Sequence, residues 1–172
     1  MALGMVLIVI VIIAFISVMA VSSLYSVSGV WERIENRESG GAAKEKISLG
    51  QLGPVVVGRR ELAGGYQTFF GIALARTIWL KRRDYGSTIL MQQGFPKEIV
   101  SQLEGQVLVR FKLRLSKDKL FLEGVLIPYK IEFTHQPPTI TSMHALDAIP
   151  RKYHRAELIS IKTATSVSAV SK

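Results

Sequence analysis

Residues 106–133 read QVLVRFKLRLSKDKLFLEGVLIPYKIEF, and this stretch decides the fold class. Val107, Val109, Phe111, Leu113 and Leu115 share one parity, while Gln106, Leu108, Arg110, Lys112 and Arg114 share the other. A period of two sustained in this way marks a strand with one face in a core and the other in water. The polar run 116–119 makes a turn, and 120–133 answers it with Phe121, Val125, Ile127, Tyr129, Ile131 and Phe133 in phase, which predicts a hairpin. Pro128 has no N–H for the ladder, so the second strand is expected at an edge or bulged there. Glu123 falls on the parity of Phe121 and Val125, and exposure at a strand end or bulge explains it more cheaply than catalysis.

Further strands are predicted outward from this hairpin. A turn at Gly64-Gly65 joins 54–61 to a strand that starts at Tyr66. Residues 69–80 read as one strand, in which Gly71, Ala73 and Ala75 present a small face that a neighbour can approach closely. Asp84-Tyr85-Gly86-Ser87 is read as a second hairpin turn, between 77–83 and 88–93. One helix is punctuated by Pro96 at its start and Gly105 at its end, with Ile99, Val100 and Leu103 as its apolar face. Strands are predicted at 139–143 and 157–163, followed by a disordered tail. The fold class is therefore mainly β with one short helix, a small antiparallel barrel or sandwich.

A different segment leads into it. No charged side chain occurs from Met1 to Trp31, and from Met5 to Val21 every residue but Ser17 is apolar. About 20 such residues at ~1.5 Å each span roughly the 30 Å hydrocarbon core of a bilayer, so a single N-terminal transmembrane α-helix is predicted. Helix overrides the strand preference of Val and Ile because backbone groups in lipid must bond within the segment. A cleaved signal peptide is the competing reading, but the run lacks a basic start and exceeds the ~7–15 apolar residues of such signals. Tyr25 and Trp31 fall where aromatic side chains favour the headgroup zone, which makes them candidate membrane-interface residues. The chain thus divides into a transmembrane helix (1–30), a juxtamembrane linker (31–50), a basic β-rich domain (51–163) and a tail (164–172).

Charge sets orientation and surface. The chain carries 22 Lys+Arg against 13 Asp+Glu, a net +9. Arg33, Arg37, Lys44 and Lys46 follow the apolar run closely, which by the positive-inside rule puts the domain on the cytoplasmic (or organelle-interior) side. With no cysteine, disulfide scaffolds, thiol catalysis and thiolate metal sites are excluded. His135, His144 and His154 are nine and ten positions apart, unlike zinc ligands paired on one element. Neither phosphate-loop, dinucleotide, nucleophile-elbow nor HExxH patterns occur, so no enzyme, metal or cofactor is expected.

The remaining chemistry is cationic. Arg110, Lys112 and Arg114 project from one strand face roughly 7 Å apart, and Lys117 and Lys119 extend the stripe through the turn. Solubility alone accounts for about half the weight of such a stripe. Two functions share the rest. The first is a non-catalytic, single-pass subunit that acts as a scaffold or interaction module in a larger membrane complex. The second is a stand-alone binder of anionic lipid or nucleic acid through the basic strand face. Nucleic acid is the weaker partner, because no aromatic interleaves the stripe for base stacking.

Overall fold

The computed structural model describes residues 2–34 and 45–156. An apolar helix, α1 (Ala2–Leu24), precedes nine antiparallel strands and two short helices. The strands are β1 (Gly29–Arg33), β2 (Lys46–Leu52), β3 (Val55–Leu62), β4 (Gly65–Leu74), β5 (Thr77–Tyr85), β6 (Val107–Leu115), β7 (Phe121–His135), β8 (Pro138–Ala145) and β9 (Ile149–Arg155). Between β5 and β6 lie α2 (Ser87–Gln92) and α3 (Lys97–Leu103). The sheet order β6-β5-β4-β3-β2-β1-β9-β7 closes through a β6–β7 pairing into an eight-stranded barrel. β8 lies outside that ring, paired to the second half of β7. Closure removes the exposed sheet edges that a short β domain would otherwise present.

β6 sets the inward face. Phe111, Leu113 and Leu115 are buried and Arg110, Lys112 and Arg114 exposed, as the alternation requires. Its partner differs from the expected phase, since Leu122 and Leu126 point inward rather than Phe121, Val125 and Ile127. Residues 121–127 are apolar on both parities, so their own pattern does not choose a face. The register chooses, because Leu122 pairs with Leu115, Gly124 with Leu113 and Leu126 with Phe111, and directly paired residues share a face. Glu123 is thereby turned into solvent, 2.5 Å from the Lys152 ammonium. Beyond Pro128, β7 leaves β6 and β9 for β8, and Ile131 becomes the buried residue.

The predicted hairpin at 84–87 is corrected. β5 pairs with β4 through a turn at Ala75-Arg76, so 69–80 is two strands, and β5 leads into α2 rather than a further strand. Ile89 and Leu90 are buried, and burial holds as a helix a segment whose residues suit a strand. The α3 helix falls where Pro96 and Gly105 placed it, with Ile99, Val100 and Leu103 buried. Both helices, with the β7–β8 arm, cover the barrel end remote from α1.

The division at 31–50 is also corrected, because β1 and β2 are barrel strands and Trp31 is a core residue. β1 is too short to show in a pattern, but it is paired on both sides, to β2 and β9. β9 was not anticipated, and the strand predicted at 157–163 and the tail lie outside the described residues. Tyr153 of β9 is fully buried; burial, and then the adjacent Glu45 carboxylate, push its phenol well above the usual value.

Gly71 meets the close approach that its small neighbours suggested. A Cβ there would overlap the carbonyl oxygen of Trp79 across the β4–β5 ladder. Gly71→Ala is therefore expected to lower stability by about 1–3 kcal/mol, read as the urea midpoint of the detergent-solubilised chain. An unchanged midpoint would show that the ladder relaxes freely.

Candidate interaction face

The outward parities of β3 to β7 build one continuous surface, and the register lines it up in rows. Val57, Phe70, Lys81, Arg110 and Ile127 stand side by side across five strands. Val55, Ile72, Trp79, Lys112 and Val125 form the next row, and Leu74, Thr77, Arg114 and Glu123 the one after it. Neighbours within a row are ~4.8 Å apart and rows are separated by ~7 Å along the strands. The result is a cationic band on β5 and β6, with apolar side chains on either flank.

The apolar flank is open to solvent. Phe70 is 59% exposed and Trp79 39%, and Val55, Val57, Ile72 and Leu74 are exposed as well. Phe70, Ile72, Trp79, Lys81, Arg110 and Lys112 line a groove of about 500 Å³ that ends against Ile127. Arg110 lies over the Tyr129 ring, 5.2 Å from its centroid. Among the described residues, none of Lys81, Arg110, Lys112 and Arg114 is held in an ion pair, whereas Arg59, Lys130 and Lys152 have carboxylate partners.

The candidate residues divide into three groups. Arg110, Lys112 and Arg114 share the face as expected. Lys117 and Lys119 sit in the β6–β7 turn at the barrel rim, exposed but beyond the last strand row. Trp31 is not interfacial, being inside the barrel with its Nε1–H donating to the Val27 carbonyl at 2.8 Å, whereas Tyr25, just after α1, is partly exposed and packs against the core. The expectation that no aromatic accompanies the stripe is overturned too. Trp79 stands directly beside Lys112, and Phe70 beside Lys81. Neither was legible because both come from neighbouring strands; the available signal was Phe70, Ile72 and Leu74 alternating with the small Gly71 and Ala73.

Among the described residues no three His, Asp or Glu side chains converge as metal ligands. His144 lies 3.8 Å from Glu132 and His154 3.5 Å from Glu32, in separate places. A cationic band between apolar flanks is suited to recognition. It can hold an acidic, amphipathic surface through charge and buried area together. No family model matches the chain, and no curated protein or solved structure is significantly similar to it.

Proposed function

We propose that the chain is a single-pass, membrane-anchored, non-catalytic subunit whose barrel is an interaction module in a larger membrane complex. One observation carries this reading: the exposed Phe70, Ile72 and Trp79 flank, contiguous with cations that have no ion-pair partner among the described residues. Exposed apolar side chains gathered on one face mark contact sites more often than the same residues scattered singly. Aromatic and Arg side chains are also the types that dominate binding energy at interfaces. The anchor supports membrane location, since α1 holds a 21-residue span, Gly4–Leu24, whose most apolar 18 residues are not buried in the protein. The cations that follow this span in sequence favour the barrel on the cytoplasmic side.

Extraction in mild detergent should return the chain with stoichiometric partners. Phe70→Asp together with Trp79→Ala should weaken that association by at least about 30-fold, the loss of one interface hot spot, while leaving the barrel folded. Recovery of the unaltered chain only as a free monomer would overturn the proposal. Nucleic acid is a second reading, favoured by Trp79 beside Lys112, an aromatic and a cation paired across β5 and β6. A steep loss of binding with salt in a nucleic-acid titration would select it.

A further inference from the structure

The barrel end that receives α1 differs in chemistry from the opposite end, and the difference matches a bilayer surface. Gln51 ties helix and barrel together. Its Nε2 donates to the Ser22 and Gly53 carbonyls at 3.0 and 2.7 Å, and its Oε1 accepts from the Val27 N–H at 2.9 Å. Met19 packs over Gly53, its thioether standing where a Cβ would lie. On the far side of the junction, Arg155 donates to the Ser26 carbonyl at 3.0 Å. The three hairpin turns β2–β3, β4–β5 and β6–β7 all open at this end, because alternate strands of an antiparallel barrel turn on the same side.

These turns present apolar tips and cations. Leu52 is 79% exposed and Leu74 54%. Arg76 and Arg114 line one cavity of about 330 Å³ with Ser116 and Glu123, whose carboxylate is held by the Lys152 ammonium, and Lys117 and Lys119 are exposed in the β6–β7 turn. The one carboxylate in the three turns, Asp118, is engaged locally, accepting from the Ser116 hydroxyl and the Leu120 N–H. At the opposite end, α3 carries Lys97 and Glu98 and is followed by Glu104, and Arg83 lies near the end of β5, all four exposed. Charges of both signs mix there, whereas the anchor-end turns present cations with their one carboxylate engaged.

We infer that the anchor end of the barrel seats on the anionic leaflet that holds α1, with Leu52 and Leu74 in the acyl boundary and Arg76 and Arg114 on lipid phosphate. The occupant is a phospholipid surface rather than a protein because the helix delivers this rim to the headgroup layer whether or not any partner is present. Guanidinium groups suit phosphate because their planar fork bonds two oxygens at once. The inference rests on the proposed membrane anchoring of α1. Seated in this way, the barrel holds its β3–β7 face at a set height above the membrane, instead of swinging on a tether.

The test uses the full chain in vesicles that contain no other protein. Because the chain has no cysteine, Leu74→Cys and Ala63→Cys each accept a single fluorophore, at the anchor end and at the β3–β4 turn of the far end. Quenching by lipids spin-labelled near the headgroup should be strong at position 74 and absent at 63. It should rise when phosphatidylglycerol is added to phosphatidylcholine. In the Leu74→Cys background, Arg76→Gln and Arg114→Gln should each lower the docked-to-undocked ratio about fivefold. Equal quenching at the two positions, none at position 74, or indifference to both arginines would overturn the inference and leave the partner proposal standing. Release of the chain by alkaline extraction would overturn the anchoring and this inference with it.

Discussion

Asp84→Ala is expected to cost about 3–5 kcal/mol of stability, the scale on which a buried ion pair responds to loss of one member. The Asp84 carboxylate is fully buried at the end of β5. Its Oδ2 accepts from Arg82 Nη2 at 3.0 Å and from Gln93 Nε2 at 2.7 Å, and its Oδ1 lies 2.9 Å from Arg82 Nε. Its backbone carbonyl accepts the Gly105 N–H at 3.0 Å. One residue therefore joins β5, the end of α2 and the entry to β6, and removing it strands a largely buried guanidinium. A double-mutant cycle with Arg82→Met separates the causes. The double variant should be less destabilised than Asp84→Ala alone, because no charge is then left uncompensated. A loss below about 1 kcal/mol in the single variant, the size of a surface pair, would refute the account.

Trp31→Ala is expected to cost a similar amount, about 3–5 kcal/mol, for removal of a buried aromatic. Trp31 has no exposed surface, and the Arg155 guanidinium lies 4.7 Å from its ring centroid. It occupies β1, between β2 and β9, so the cavity would open beside the strand that links those two. A tryptophan in the headgroup zone would behave otherwise: its loss would leave barrel unfolding unchanged and alter only attachment to the membrane. Emission distinguishes the two. Trp79 is the only other tryptophan, so in a Trp79→Phe background the remaining emission should be blue-shifted and should move to the red only as the barrel unfolds.

The segments whose buried face the sequence left open share a cause. Where one parity is charged, as on β6, the alternation names the buried face without help. Where both parities are apolar, as in residues 69–74 and 121–127, either face could turn inward, and cross-strand register makes the choice. Asp84 misled for a related reason. Asp84, Gly86 and Ser87 within four residues have the composition of a tight turn. Here the aspartate turns its side chain into the core to bind Arg82 and Gln93, and Gly86 instead allows the chain to enter α2 with a φ of 106°.

The candidate face was half legible. Arg110, Lys112 and Arg114 belong to one strand, and period two alone puts them together. Phe70, Ile72 and Trp79 join them only because β4 and β5 pair with β6 in a register that a linear pattern does not contain.

By itself, the sequence determined that an uncharged helix of membrane-spanning length precedes a basic, strand-rich domain, because span length, hydropathy and alternation are local properties of the chain. Tertiary structure decided that the strands close into a barrel, that Trp31 belongs to its core, and that cations and aromatics share an outer face. Those outcomes depend on pairing between residues distant in sequence. In such pairing the burial of one face, rather than the preference of any single residue, selects the arrangement.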